Sequence, residues 1–277
     1  ANWSHWYCVF MGTVNSLQPA KNLNTRAYIT LHMKIGIIIP STSKGRSWAS
    51  YKDSYLYTLT LKSLLLTYDK EHEYVVYVGI DKGDTLYDTD IFKESINRFV
   101  GIMQNVDVQF HYMDGIEKGH LTVMWNRLFD FALDDGCDYF FQCGDDVRFE
   151  TKGWTNDCIN VLDSTNGIGL VGPINNNPRI LTQSFVSRKH KELFGYYFPP
   201  DIKNWFCDDW INEVYKKIGH FYPLRQHVCV NLGGKPRYDI NNDSTFTNDF
   251  KANMERMRVF CTKIVERDYA RVQEMKK

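Results

Sequence analysis

Ile35-Gly36-Ile37-Ile38-Ile39-Pro40, running directly into Ser41-Thr42-Ser43-Lys44-Gly45-Arg46, opens the part of the chain whose pattern decides its fold. An unbroken apolar run of this length suits a strand covered on both faces, as in a parallel sheet. Downstream, Leu61, Leu64 and Leu65 mark one face of a helix. Tyr74 to Ile80 is a second buried strand ending at Asp81-Lys82-Gly83-Asp84, and Val106 to Tyr112 a third. Leu121, Met124, Leu128, Phe131 and Ala132 share a helical face, and Asp138 to Gln142 is a short apolar strand that runs into Cys143-Gly144-Asp145-Asp146-Val147. A helix is predicted over 153–162, a strand over 167–171 and a helix over 208–218. The alternation of strand and helix predicts one α/β domain with a mostly parallel twisted sheet flanked by helices. We place that domain at 33–246, with a charged C-terminal helix over 247–277 packed on it. Residues 1–32 scatter Trp3, Trp6, Tyr7 and Phe10 without a sustained period, and are read as an N-terminal extension.

Composition narrows the function classes. Of the 277 residues 43% are hydrophobic and 24% charged, enough to bury a core without covalent staples. The formal net charge is zero and no long basic run occurs, which disfavours non-specific nucleic-acid binding. Seven cysteines include no C-x-x-C pair, so neither a disulfide framework nor a cysteine zinc site is indicated. No apolar run approaches the about 18 residues of a membrane span, and the N-terminus lacks the order of a signal peptide. These features lead us to expect a soluble, cytoplasmic protein.

The acidic pair Asp145-Asp146 at the end of an apolar strand is the most informative chemistry. Adjacent carboxylates repel unless a proton or cation bridges them, and oxygen ligands of this kind suit Mg²⁺ or Mn²⁺ held against a diphosphate. A solvated acidic turn is the other reading. Asp81 is equally readable as a ligand-binding acid and as a turn-former before Lys82-Gly83. Asp208 and Asp209, in Trp205-Phe206-Cys207-Asp208-Asp209-Trp210, head a helix that Asp208 could cap. His227 is a lone histidine, to be weighed as a structural side chain or a metal ligand.

Helix, apolar strand and Gly144-Asp145-Asp146-Val147 together resemble the D-x-D region of GT-A glycosyltransferases. The resemblance implies a GT-A-type α/β fold and makes Asp146, the last acid of the motif, the metal ligand. Gly144 departs from the family pattern by replacing the first acid, a position Asp145 would cover. In the same order along the chain, Pro40, Ser41 and Thr42 resemble the nucleotide-binding loop after the first strand, and Asp81 the acid that binds the base. Cys207-Asp208-Asp209-Trp210 resembles the segment that supplies the catalytic base in inverting members, which points to Asp209 first and Asp208 in reserve. His227 matches a C-terminal histidine that some members add to the metal, and Lys235 and Arg237 would neutralise the donor's diphosphate. The match spans about Ile35 to Tyr238. The stretch from Ser184-Phe185-Val186-Ser187-Arg188 through Phe198-Pro199-Pro200 to Trp210 looks like GT-A-like proteins of large DNA viruses and their eukaryotic relatives, which suggests a source.

The expectation is therefore a metal-dependent hexosyltransferase that moves a sugar from a nucleoside diphosphate sugar, UDP-linked in the first instance, to a hydroxyl of a glycan or other acceptor, with inversion. Two alternatives stand beside it: a nucleotidyltransferase, and a catalytically inactive GT-A-like binding module.

Overall fold

The computed structural model describes residues 32–235, 237–238, 247 and 249–275. The extension expected over 1–32 lies, but for His32, outside them. Eight strands are present: β1 (Lys34–Pro40), β2 (Glu73–Ile80), β3 (Val106–Tyr112), β4 (Tyr139–Gln142), β5 (Val147–Phe149), β6 (Leu170–Ile174), β7 (Ser184–Ser187) and β8 (Phe221–Asn231). They form one sheet in the order β3-β2-β1-β4-β7-β6-β8-β5. β1 pairs in parallel with β2 and β4, β2 with β3, and β6 with β8. β7 is antiparallel to β4 and β6, and β5 to β8. Only β5 and β7 thus run against the common direction. The helices are α1 (Lys62–Thr67), α2 (Asp90–Val100), α3 (Leu121–Asp134), α4 (Trp154–Ser164), α5 (Lys189–Phe194), α6 (Cys207–Ile218) and α7 (Phe250–Glu274). This is the expected α/β architecture, a mostly parallel sheet flanked by helices, with its C-terminal helix.

The strand period explains the layering. Ile35, Ile37 and Ile39 point to one side, where they join Leu61 and Leu64 of the α1 region, Phe92 and Ile96 of α2, and Cys158 and Leu162 of α4. Ile38 points to the other, into a cluster with Leu128 and Phe129 of α3, Trp210 and Val214 of α6, and Ile264 and Val265 of α7. With helices on both faces β1 has no wet side, which is why its sequence shows no polar alternation. Gly36 belongs to that second face: a Cβ there would lie 2.9 Å from the Ala132 Cβ, so glycine lets α3 approach the sheet closely.

α7 is fixed by a buried carboxylate. Asp268 Oδ2 accepts hydrogen bonds from Trp210 Nε1 (3.0 Å) and the Tyr196 hydroxyl (2.7 Å), and Arg267 Nε donates to Oδ1 at 3.0 Å. Arg271 Nη1 also donates to the Phe194 carbonyl at the end of α5 (3.0 Å). Among the described residues no helix is long and apolar enough to cross a membrane.

Several boundaries differ from the sequence reading. The helix expected around Leu61 begins as a π-helical turn over Leu56–Leu61 before α1, and the strand expected over 167–171 forms three residues later as β6. β5, β7 and β8 were not anticipated. β5 and β7 are too short to show a period, and β8 contains Pro223 and a register shift between Pro173 and Ile174 of its partner, which breaks any regular alternation.

Candidate active site

Parallel strands deliver their carboxyl ends to one edge, where open α/β sheets hold ligands. The loops after β1, β2, β4 and β8 meet there around a cavity of about 310 Å³. β7 runs the other way, so the residues that precede it, Thr182 and Gln183, reach the same edge.

Pro40, Ser41, Thr42 and Asp81 all line the cavity, with Thr42 Oγ1 3.4 Å from Asp81 Oδ2. Asp84, which the sequence reading passed over, ties these two loops together. Its carboxylate accepts from Ser43 N (2.8 Å), Ser43 Oγ (2.7 Å) and the backbone of Leu86 and Tyr87 (3.0 and 2.8 Å). Burial works to raise its pKa, yet these donors together hold it below the usual carboxylate range.

The acidic pair divides into two roles. Asp145 is wholly buried and committed to protein partners. Ser41 Oγ donates to it at 2.5 Å, the Tyr87 hydroxyl at 3.2 Å, and Arg237 engages both of its oxygens with Nη1 and Nη2. Arg237 Nη1 also donates to the Thr42 carbonyl at 2.8 Å and its guanidinium lies 5.6 Å from the Trp48 ring centroid. The arginine expected at the donor diphosphate thus closes a buried ion pair that joins the β1 loop, the β4 loop and the segment after β8. Thr60 Oγ1 secures the Asp145 carbonyl from the far side at 2.7 Å.

Asp146 lies against glycine on two sides. A Cβ at Gly144 would stand 2.5 Å from Asp146 Oδ1, and one at Gly233 1.6 Å from Oδ2. Glycine at 144 therefore does more than omit an acid: it makes room for the next one. Burial and then the charge of Asp145 push the Asp146 pKa up to about 6, against the pull of Arg237 and Arg46. A carboxylate held in that state gains from a cation, and its oxygens are the donor type that Mg²⁺ or Mn²⁺ takes. Among the described residues no group of three or more His, Cys, Asp or Glu side chains is arranged to cage a metal. His227 is not brought to Asp146. It lies within β8, with Nδ1 3.1 Å from Thr151 Oγ1 and Nε2 2.7 Å from Asp157 Oδ2, outside the cavity wall.

α6 begins from Phe206, whose φ of 74° is rare for a bulky residue. Asp208 in its first turn lines the cavity and Asp209 does not. Burial, then the neighbouring Asp209 charge, raise the Asp208 pKa to about 7. Asp209 is also raised by burial, with Arg179 opposing. Asn212, one turn further along α6 and wholly buried, donates to the Asp208 carbonyl (2.8 Å) and to the Leu181 carbonyl (2.8 Å), and accepts from Leu181 N (2.9 Å). It joins the head of α6 to the segment before β7. Gln142, Thr182, Gln183 and Trp125 complete the wall and had no part in the sequence reading. Gln142 alone left a signal, as the one amide in an apolar strand.

No family model and no curated protein matches the sequence. Among solved structures the chain is similar to S. aureus TarS 1-349 in complex with UDP-GlcNAc, at 15% identity over 74% of this chain and 60% of that one, with a TM-score of 0.49. It matches 36% of a longer TarS structure. A putative nucleotide-diphospho-sugar transferase from Desulfovibrio desulfuricans is 12% identical over 85% of this chain and 99% of that one, with a TM-score of 0.44. A putative glucose-1-phosphate thymidylyltransferase from Bacillus anthracis is 14% identical over 72% and 89%, with a TM-score of 0.47.

Proposed function

We propose that this chain transfers a sugar from a nucleoside diphosphate sugar to an acceptor hydroxyl, with inversion at the anomeric carbon. The observation that carries the reading is one cavity, at the carboxyl edge of the sheet, lined together by the β1 loop, Asp81, Asp146 and Asp208. In this reading the Pro40–Thr42 backbone and Asp81 receive the nucleoside. Asp146 holds Mg²⁺ or Mn²⁺, which when bound supplies positive charge to the departing diphosphate. Lys44 and Lys235, both on the cavity wall, add charge there, while Arg237 acts at one remove by fixing Asp145. Asp208 takes the acceptor proton, because its carboxyl faces the cavity and its raised pKa matches the demand on a general base near neutral pH. Inversion needs one such base on the face opposite the leaving group, and Asp208 lines the same cavity as Asp146.

Titration of the full chain with UDP and UDP-sugars, with and without Mn²⁺, tests the reading. Binding of a sugar nucleotide should raise the melting temperature, and turnover should release nucleoside diphosphate. Release of pyrophosphate would instead identify a nucleotidyltransferase. The closure of Asp145 and Arg237 on each other favours a second reading, an inactive binding module, for which tight donor binding without transfer or hydrolysis is the signature.

A further inference from the structure

Two polar side chains on the cavity wall are left without partners. Gln183 is 1% exposed, and neither its Oε1 nor Thr182 Oγ1 has a hydrogen bond among the described residues. Buried polar oxygens nearly always find partners, and an exception calls for a cause. Their surroundings are otherwise satisfied: the adjacent Ser184 Oγ donates to Gln142 Oε1 at 2.9 Å and lies 2.9 Å from the Tyr197 hydroxyl, and Leu181 is held on both its backbone groups by Asn212. The two orphans belong to residues that line the cavity.

Strand order says what should meet them. Across the sheet edge the sequence of strands is β2, β1, β4, β7, so the wall residues follow as Asp81, Ser41 and Thr42, Asp146, then Thr182 and Gln183. A nucleoside diphosphate sugar laid along that edge places its base and ribose at the first two, its diphosphate at Asp146 and its sugar at the last. The tie through Asn212 sets Asp208 beside the same segment, as an attack on the anomeric carbon requires. Resting on the proposed function, we infer that Thr182 and Gln183 form the subsite that reads the ring hydroxyls of the transferred sugar, and that the sugar is a neutral hexose. An amide can turn about its terminal bond and present either its oxygen or its NH₂ group, and a hydroxyl both donates and accepts, which suits vicinal sugar hydroxyls. Neither group offers a positive charge to a carboxylated sugar.

The experiment compares Gln183→Met and Thr182→Val with the unaltered full chain. Affinities are measured in Mn²⁺ for UDP, GDP and dTDP, for their glucose conjugates, and for UDP-glucuronate. For whichever base binds, the variants should bind the nucleoside diphosphate within twofold of the parent but its glucose conjugate about tenfold more weakly. Glucuronate should bind the parent more weakly than glucose. The melting temperature of Gln183→Met without ligand should be equal or higher, because the replacement removes an unpaired buried oxygen. Equal loss for diphosphate and sugar conjugate, no loss for either, a lowered melting temperature, or equal affinity for glucuronate would each overturn the assignment while leaving donor binding standing. If the parent binds no nucleotide at all, the proposed function itself fails and this subsite with it.

Discussion

Asp208 and Asp209 are neighbours whose roles a sequence cannot separate, because a helix turns each residue by about 100° and a small change in its orientation exchanges the two. The family resemblance pointed first to Asp209, whereas the cavity receives Asp208. Asp208→Asn should lower turnover by about 10²- to 10⁴-fold with donor affinity nearly unchanged, and Asp209→Asn should cost far less. Steady-state kinetics on the two variants decides between them, and the reverse ranking would return the role to Asp209. The same carboxyl makes a thermodynamic prediction. Its folded pKa of about 7 lies above the ordinary 3.8, so the folded state holds the proton more tightly. Stability from this group is then full below about 4 and falls as pH rises towards 7. The Asp208→Asn chain should therefore lose less stability than the parent across that window, as read by denaturant melts at stepped pH. Parallel curves would show that the carboxyl is not held protonated. Asp146 was legible as the acid at a strand end, but its separation from Asp145 was not: the partners that claim Asp145 come from Ser41, Tyr87 and Arg237, far away in sequence.

At the scale of elements, the strands buried on both faces were the readable part. β1 and β2 announce themselves as unbroken apolar runs, whereas β3, at the sheet edge, shows the alternation Val106, Val108, Phe110, Tyr112 and keeps the boundaries read from sequence. β7 and β8 did not, since four residues carry no period and a bulged strand with a proline carries a broken one. The loops between elements were legible only as turn chemistry. Gly233 shows what that misses: it reads as half of a flexible Gly-Gly pair, yet its φ is not in the left-handed region and its lack of a Cβ is what admits the Asp146 carboxylate. Gly233→Ala should displace Asp146, and metal-dependent donor binding should fall at least tenfold in a chain that still folds. Gly234→Ala, where φ is 72° but a Cβ would meet nothing within 4 Å, should cost stability without that selective loss. Calorimetric titration with and without Mn²⁺ distinguishes them, and equal behaviour of the two variants would remove the packing argument.

For the molecule as a whole, the long helix at the C-terminus was legible as charged and helical but its anchor was not. Asp268 lies among charged residues in the sequence and looks solvated, yet it is 3% exposed and receives Trp210 and Tyr196. Asp268→Ala would leave the buried Trp210 Nε1 unpaired and remove the partner of Tyr196 and Arg267, a loss of about 3 kcal/mol, measurable as a reduced denaturant midpoint. A midpoint within error of the parent would mean that α7 is held by its apolar face alone. The strand order also dictates a history for each new copy of the chain. The first four strands, β3-β2-β1-β4, are complete once residue 142 has left the ribosome: β1 with β2 and β2 with β3 pair as chain neighbours, and β4 then returns to β1. The second half must wait, because β6 lies against β8, and Gly233 and Arg237 reach back to Asp146, Asp145 and Thr42 across more than 80 residues of chain. The β1, β2 and β4 walls of the cavity are therefore made first, and the cavity stays open on one flank until the segment after β8 has emerged to close it.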